Sequence, residues 1–213
     1  MERDYGSPDF WEGRYINDDG IFDWYIEWED FQKEIMSKID AEPPVLILGC
    51  GNSELSRKLE DSGLFPIYSM DISQSVLQKM SKKLGGSYIK MDARDLMFKD
   101  ESFRCIIDKG TLDALLCSKT FEKDVSMMLV EASRVLQPGG IFIEITFGKP
   151  EIRKSYLANV DILHWILEDV ININTEVGEC YVYVFRKITE YINNYQDLDD
   201  DCLFEQSSDS DLD

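Results

Sequence analysis

The chain has 213 residues, 44% hydrophobic and 30% charged, ordinary values for one globular domain large enough for a substantial core. No uninterrupted apolar run approaches a bilayer span and Met1-Glu2-Arg3-Asp4 lacks signal-peptide character, so no membrane association is expected. The formal net charge of −20 opposes binding to a nucleic-acid backbone and favours basic partners.

In chain order the first feature is aromatic: Phe10, Trp11, Tyr15, Phe22, Trp24, Tyr25, Trp28 and Phe31 crowd one segment. Such rings are usually core, but an aromatic cluster also suits the cover of a cation. A helix over 28–39 puts Phe31, Ile35 and Ile39 on one face. Strands and helices then alternate: strand 45–48, helix 54–62, strand 67–70, helix 74–84, strand 87–90 closing on Asp92, strand 103–108 and helix 121–136. Gln137-Pro138-Gly139-Gly140 reads as a turn before strand 141–147. A helix over 152–157 and late strands over 164–172 and 179–187 complete the sheet. The expected class is α/β, a Rossmann-like, mostly parallel sheet of seven strands with helices on both faces.

The motif Val45-Leu46-Ile47-Leu48-Gly49-Cys50-Gly51-Asn52-Ser53 runs a buried strand into two glycines at a helix start. Asp71 closes the second strand 20 positions after Gly51, where a ribose-binding acid is expected. The pair predicts an adenosine-containing ligand at the carboxyl edge of the sheet. A dinucleotide fingerprint needs a third glycine, and that place is Glu54. An acid there repels a pyrophosphate but tolerates S-adenosylmethionine, which has no phosphate and carries a sulfonium and an ammonium.

Cys50, Cys105, Cys117, Cys180 and Cys202 are scattered without a C-x-x-C pair, as expected of reduced thiols in a cytoplasmic protein. His164, the single histidine, cannot build a zinc site and sits between Leu163 and Trp165, so no metal is expected. The stretch 197–213 carries eight acids and no base, with Ser207, Ser208 and Ser210 among them, leaving −12 on the remainder. Residues 189–213 are therefore read as an acidic, disordered tail.

Strands ending in acids, together with these motifs, resemble the seven-stranded, class I S-adenosylmethionine-dependent methyltransferases over about residues 5–188. Met91-Asp92-Ala93 is similar to that family's adenine-contacting segment, and Leu136-Gln137-Pro138-Gly139-Gly140-Ile141 to its turn into strand five. Phe10-Trp11-Glu12-Gly13-Arg14-Tyr15, Phe22-Asp23-Trp24-Tyr25 and Asp108-Lys109-Gly110-Thr111-Leu112-Asp113-Ala114-Leu115 resemble the subgroup that methylates lysine on translation elongation factor 1-alpha. The Asn/Asp-Pro-Pro-aromatic motif of many nitrogen methyltransferases is absent, as is the long arm of the double-domain relatives.

The resemblance implies a domain plan of an aromatic N-terminal lid and helix at 1–44 and a methyltransferase core at 45–188. It implies cofactor contacts from Trp11, Tyr15 and Trp24 in the lid, from Gly49, Cys50, Gly51 and Asn52, and from Asp71, Ile72, Asp92, Ala93, Asp108 and Lys109. Asp71 would accept from two ribose hydroxyls, Ile72 would pack on adenine, and Asp92 would accept from the adenine amine, with Asp95 a nearby rival. Asp108 and Asp113 are the candidate catalytic acids, orienting an incoming ammonium, although Asp113 equally suits bracing the next helix. Lys149-Pro150-Glu151-Ile152-Arg153-Lys154 is the candidate acceptor rim.

The expected function is methyl transfer to a protein lysine, on a target such as elongation factor 1-alpha, without nucleic acid as partner. The alternatives are a small-molecule or RNA methyltransferase with the same cofactor site, and a cofactor-binding protein without catalysis that acts through its acidic tail. A dinucleotide oxidoreductase is disfavoured by Glu54.

Overall fold

The computed structural model describes residues 4–39 and 44–188. The tail at 189–213, with Cys202, lies outside the described residues. Seven strands form one sheet: β1 (Val45–Leu48), β2 (Ile67–Asp71), β3 (Ser87–Lys90), β4 (Phe103–Lys109), β5 (Leu136–Thr146), β6 (Trp165–Thr175) and β7 (Gly178–Lys187). Their order is β3-β2-β1-β4-β5-β7-β6, parallel from β3 to β5, with β7 antiparallel to both β5 and β6. This is the expected α/β architecture.

Strand periodicity sorts the core into two layers. Val45, Ile47, Cys105, Ile107, Ile143 and Ile145 pack with Phe31, Ile35, Leu59 and Leu77. These last four come from α2 (Trp28–Met36), α3 (Leu55–Asp61) and α4 (Gln74–Leu84). Leu46, Leu48, Ile106 and Phe142 face the opposite way, against Leu112, Met128, Leu129 and Leu157. Those residues belong to α5 (Thr111–Leu116), α6 (Phe121–Val135) and α7 (Pro150–Leu157), and the short α8 (Val160–Leu163) completes that side. Helix ends follow local chemistry. Glu27 and Asp30 form a reciprocal capping box on α2, and the Ser73 side chain accepts the Val76 amide at the start of α4.

Several elements differ from the sequence reading, the short α8 among them. The aromatic segment contains a helix, α1 (Pro8–Ile16), started by proline at its first turn. Residues 111–116 form α5, too short to show a periodic stripe, after Gly110 in the left-handed region at φ 90°. The expected turn at 137–140 is continuous with β5 as a wide bulge. Phe103 pairs with Leu136 and Cys105 with Ile141, so one residue of β4 faces four on β5.

Candidate active site

Sheet order places the site. β1 lies between β2 and β4, so the connections from β1 and β4 leave toward opposite faces, and a crevice opens at the strands' carboxyl ends. A cavity enclosing about 930 Å³ of empty space, open mouth included, occupies that crevice. Gly49, Cys50, Gly51, Asn52, Asp71, Ile72, Asp92, Ala93 and Lys109 line it, with Trp11, Tyr15 and Trp24 across from them.

Both glycines hold positive φ, 54° at Gly49 and 51° at Gly51. A Cβ on Gly49 would collide with the Thr111 hydroxyl and stand 3.0 Å from its Cβ. One on Gly51 would stand 2.7 Å from the Tyr15 hydroxyl. The first glycine thus admits α5 to the sheet edge, and the second admits the aromatic wall. Cys50 is buried beside Asp71, and burial pushes its thiol well above the usual range, so it is no nucleophile.

Asp71 is 6% exposed. Its Oδ2 accepts the Gly51 amide and its Oδ1 the Ser73 amide, each at 2.9 Å. Burial raises its carboxyl above the ordinary value, while those amides favour the charged form. Asp92 has a partner that sequence reading missed. Arg94 grips both of its oxygens, Nε at 2.9 and 3.2 Å and Nη2 at 2.7 Å, and extends Nη1 to Asp124 at 2.9 Å. Burial opposes ionisation of Asp92, but Arg94 outweighs it and holds the carboxyl below its ordinary value. Asp95 is not part of the cavity lining; its amide donates to the Asp92 carbonyl at 3.1 Å.

Asp108 requires a correction: the structure does not bring it to the cavity. Strand alternation turns Lys109 toward the aromatic segment and Asp108 under α5, where it is fully buried. Its carboxylate accepts the Thr111 amide at 3.1 Å and the Leu112 amide at 2.9 Å, the orphan donors of the α5 start. Asp108 therefore positions α5 rather than touching cofactor or substrate.

Asp113, also outside the lining, gathers a cluster beside it. Its carboxylate accepts from the Tyr25 hydroxyl at 2.7 Å, from the Thr146 hydroxyl at 2.9 and 2.7 Å, and from the Arg153 guanidinium. Arg153 is one residue of the expected acceptor rim. Tyr25 holds φ 70°, a costly conformation for a bulky side chain. Its ring lies 4.4 Å from Phe147, and a Cβ on the cavity residue Gly110 would come within 3.2 Å of it. Tyr25 thus separates the cavity from the Asp113 cluster. The aromatic count flagged Tyr25, whereas Thr146 carried no signal because only folding brings the β5 end to α5.

The aromatic segment is fixed at several points. Trp11 stacks on Tyr15 at 5.8 Å and donates from its indole to the Tyr5 carbonyl at 2.7 Å. The Arg14 guanidinium stands 5.4 Å from the Trp24 ring and 5.8 Å from those of Trp11 and Phe22. Glu12 accepts the hydroxyls of Ser73 at 2.6 Å and Ser75 at 2.5 Å, and Lys79 donates to the Tyr15 carbonyl at 2.6 Å. Asp23, also missed in the sequence, pairs with Lys109 and accepts the Ser53 hydroxyl.

The comparisons with known proteins agree with this geometry. Residues 46–143 match the family described as "Methyltransferase domain". The chain is 35% identical over 189 residues to the eEF1A lysine and N-terminal methyltransferase of Homo sapiens, covering 83% of this chain and 27% of that protein. It is 33% identical over 168 residues to EEF1A lysine methyltransferase 4 of Mus musculus, covering 72% of this chain and 66% of the relative. The chain belongs to the S-adenosylmethionine-dependent methyltransferases. A solved S-adenosylmethionine-dependent methyltransferase from Methanosarcina mazei superposes with a TM-score of 0.56 at 19% identity, covering 79% of this chain and all of that one. Another from Mesorhizobium loti gives 0.58 at 13% identity, covering 74% and 98%. These two likenesses show the fold. The chain spans about a quarter of the length of the first relatives matched, 25% for the Mus musculus protein and 27% for the Homo sapiens one.

The methyltransferase cavity fits this cofactor. Its cationic lining residues are both neutralised, Lys109 by Asp23 and Arg94 by Asp92 and Asp124, which leaves no charge arranged for a phosphate. The Asp71 carboxylate accepts an amide at each oxygen and retains lone-pair capacity for a further donor, as a ligand bearing hydroxyls requires.

The Lys109–Asp23 pair ties the aromatic wall to the methyltransferase sheet with both side chains 6% exposed. Burial pulls the Lys109 ammonium below the usual lysine range, and Asp23 opposes that. Asp23→Ala strands a buried cation and is expected to destabilise the fold by about 3 kcal/mol in urea unfolding. Adding Lys109→Met should recover part of that loss; a fully additive double variant would mean that the two groups are not coupled.

Proposed function

We propose that this methyltransferase moves a methyl group from S-adenosylmethionine to a lysine of a protein resembling elongation factor 1-alpha. The observation that carries the reading is the 33–35% identity, over 72–83% of this chain, to proteins named for eEF1A lysine methylation. The net charge of −20 suits a basic target surface. The exposed Phe147 and Ile152, next to the Asp113 cluster, provide an apolar rim of the kind a protein acceptor covers. The described cysteines Cys50, Cys105, Cys117 and Cys180 are free thiols, which suits action in the cytosol.

S-adenosylmethionine, when bound, supplies a methyl group on a cationic sulfur that a neutral amine accepts. The chain supplies position. Asp71 and the turn at 49–52 hold the ribose and methionine ends, Ile72, Asp92 and Ala93 hold the adenine, and Trp11, Tyr15 and Trp24 keep water from the reacting centre. On the acceptor side, the Asp113 carboxylate is held by Arg153, Tyr25 and Thr146, so it braces the rim that meets the acceptor, and the proton of the incoming ammonium leaves to solvent. The functional test is transfer of a labelled methyl to purified elongation factor 1-alpha. Label on a lysine, lost with Asp71→Ala, supports the proposal. Cofactor binding without label on this protein would remove it as the acceptor.

A further inference from the structure

Asp108 of β4 and Glu144 of β5 occupy paired positions on neighbouring strands, both fully buried beneath α5. Paired positions on parallel strands put the two side chains next to each other on one face of the sheet. Among the described residues no N–H or hydroxyl donor reaches either oxygen of Glu144. Two fully buried carboxyls side by side cannot both be ionised, so one of them carries a proton. Asp108 accepts the Thr111 and Leu112 amides, which favour its charged form, so the proton belongs to Glu144.

We infer that Glu144 is a neutral positioning residue whose carboxyl hydrogen is donated to Asp108, holding α5 and its cavity-lining Thr111 against the cofactor site. The groups facing it agree. Asp108 comes from β4, Asp113 from α5, Tyr25 from the aromatic segment, Tyr183 from β7 and Arg153 from α7. Arg153 is the cation among these, and Asp113 holds it. Burial, then Asp108, push the Glu144 carboxyl well above its ordinary value, and Arg153 opposes them. A raised folded-state value means that the stabilisation is complete below the ordinary glutamate range and is lost as pH rises through the folded value. Ionisation of Glu144 would set two buried carboxylates against each other and loosen the start of α5.

The test compares the full chain with E144Q and E144A. Carbon-13 carboxyl NMR should find one side-chain carboxyl neutral at neutral pH in the unsubstituted protein and missing from E144Q. Calorimetry with S-adenosylmethionine should show affinity falling as pH rises through the raised Glu144 value in the unsubstituted protein, and a flat profile in E144Q. E144Q keeps a donor and should hold the neutral-pH affinity within about threefold, whereas E144A should weaken it about tenfold or more. Glu144 titrating in the ordinary carboxylate range would overturn the inference, as would an E144Q profile that follows the unsubstituted protein. The NMR measurement needs no ligand, so it decides the protonation even if E144A fails to fold.

Discussion

Asp71→Ala is expected to weaken S-adenosylmethionine binding by about 100-fold or more in calorimetry, the effect of losing two hydrogen bonds to a charged acceptor at roughly 1.5–3 kcal/mol each. The residue sits at the end of β2 with 6% of its surface exposed, and each carboxylate oxygen is already aligned by a backbone amide. Those amides are part of the effect. Removing the carboxylate leaves the Gly51 and Ser73 donors unpaired, so the cavity-lining turn at 49–52 loses its reference point as well. Asp71→Asn should fall between the two, because its amide nitrogen must face one backbone N–H while its oxygen accepts the other. A dissociation constant for the alanine variant within threefold of the unsubstituted protein would show that the ribose is not held here.

Gly49→Ala should destabilise the whole domain by about 2–5 kcal/mol in denaturant unfolding, combining left-handed backbone strain with overpacking. A φ of 54° is open to glycine and costly for alanine. The new methyl would also enter the space of the Thr111 hydroxyl, which donates to the Leu48 carbonyl at 3.1 Å and anchors α5 to β1. Thr111→Ala in the same chain should relieve the steric part and leave the backbone part, giving a positive coupling in a double-mutant cycle. Gly51→Ala should cost less, since its nearest obstacle, at 2.7 Å, is the end of the Tyr15 side chain. Equal losses at the two glycines would mean that backbone strain dominates and the Thr111 contact is unimportant.

Much of the cofactor half of the site is readable in the chain because its signals are local. Gly49, Gly51 and the acid at Asp71 lie within one strand–helix–strand unit, and short-range backbone geometry explains their spacing. The acceptor half is not local. Tyr25 and Asp113 are separated by 88 residues, and Arg153 reaches Asp113 across 40. No periodicity or spacing rule links positions that far apart, so Thr146 and the buried pairing of Glu144 with Asp108 had no signature in the sequence. Asp108 illustrates the boundary. Its place at the end of β4 is readable, but the side to which it points depends on strand register.

The sequence by itself determined the succession of the seven strands and of α2, α3, α4, α6 and α7, the two glycines and the acid that ends β2, because hydrophobic periodicity and turn chemistry act over a few residues. Tertiary structure decided which side chain meets which. Strand alternation sent Asp108 under α5 and Lys109 to Asp23. Sheet order brought the β5 end beside α5, and burial left Glu144 with a carboxylate as its neighbour. Those pairings arise only when distant segments pack, and it is their low-dielectric contacts that set the charge and protonation of the site.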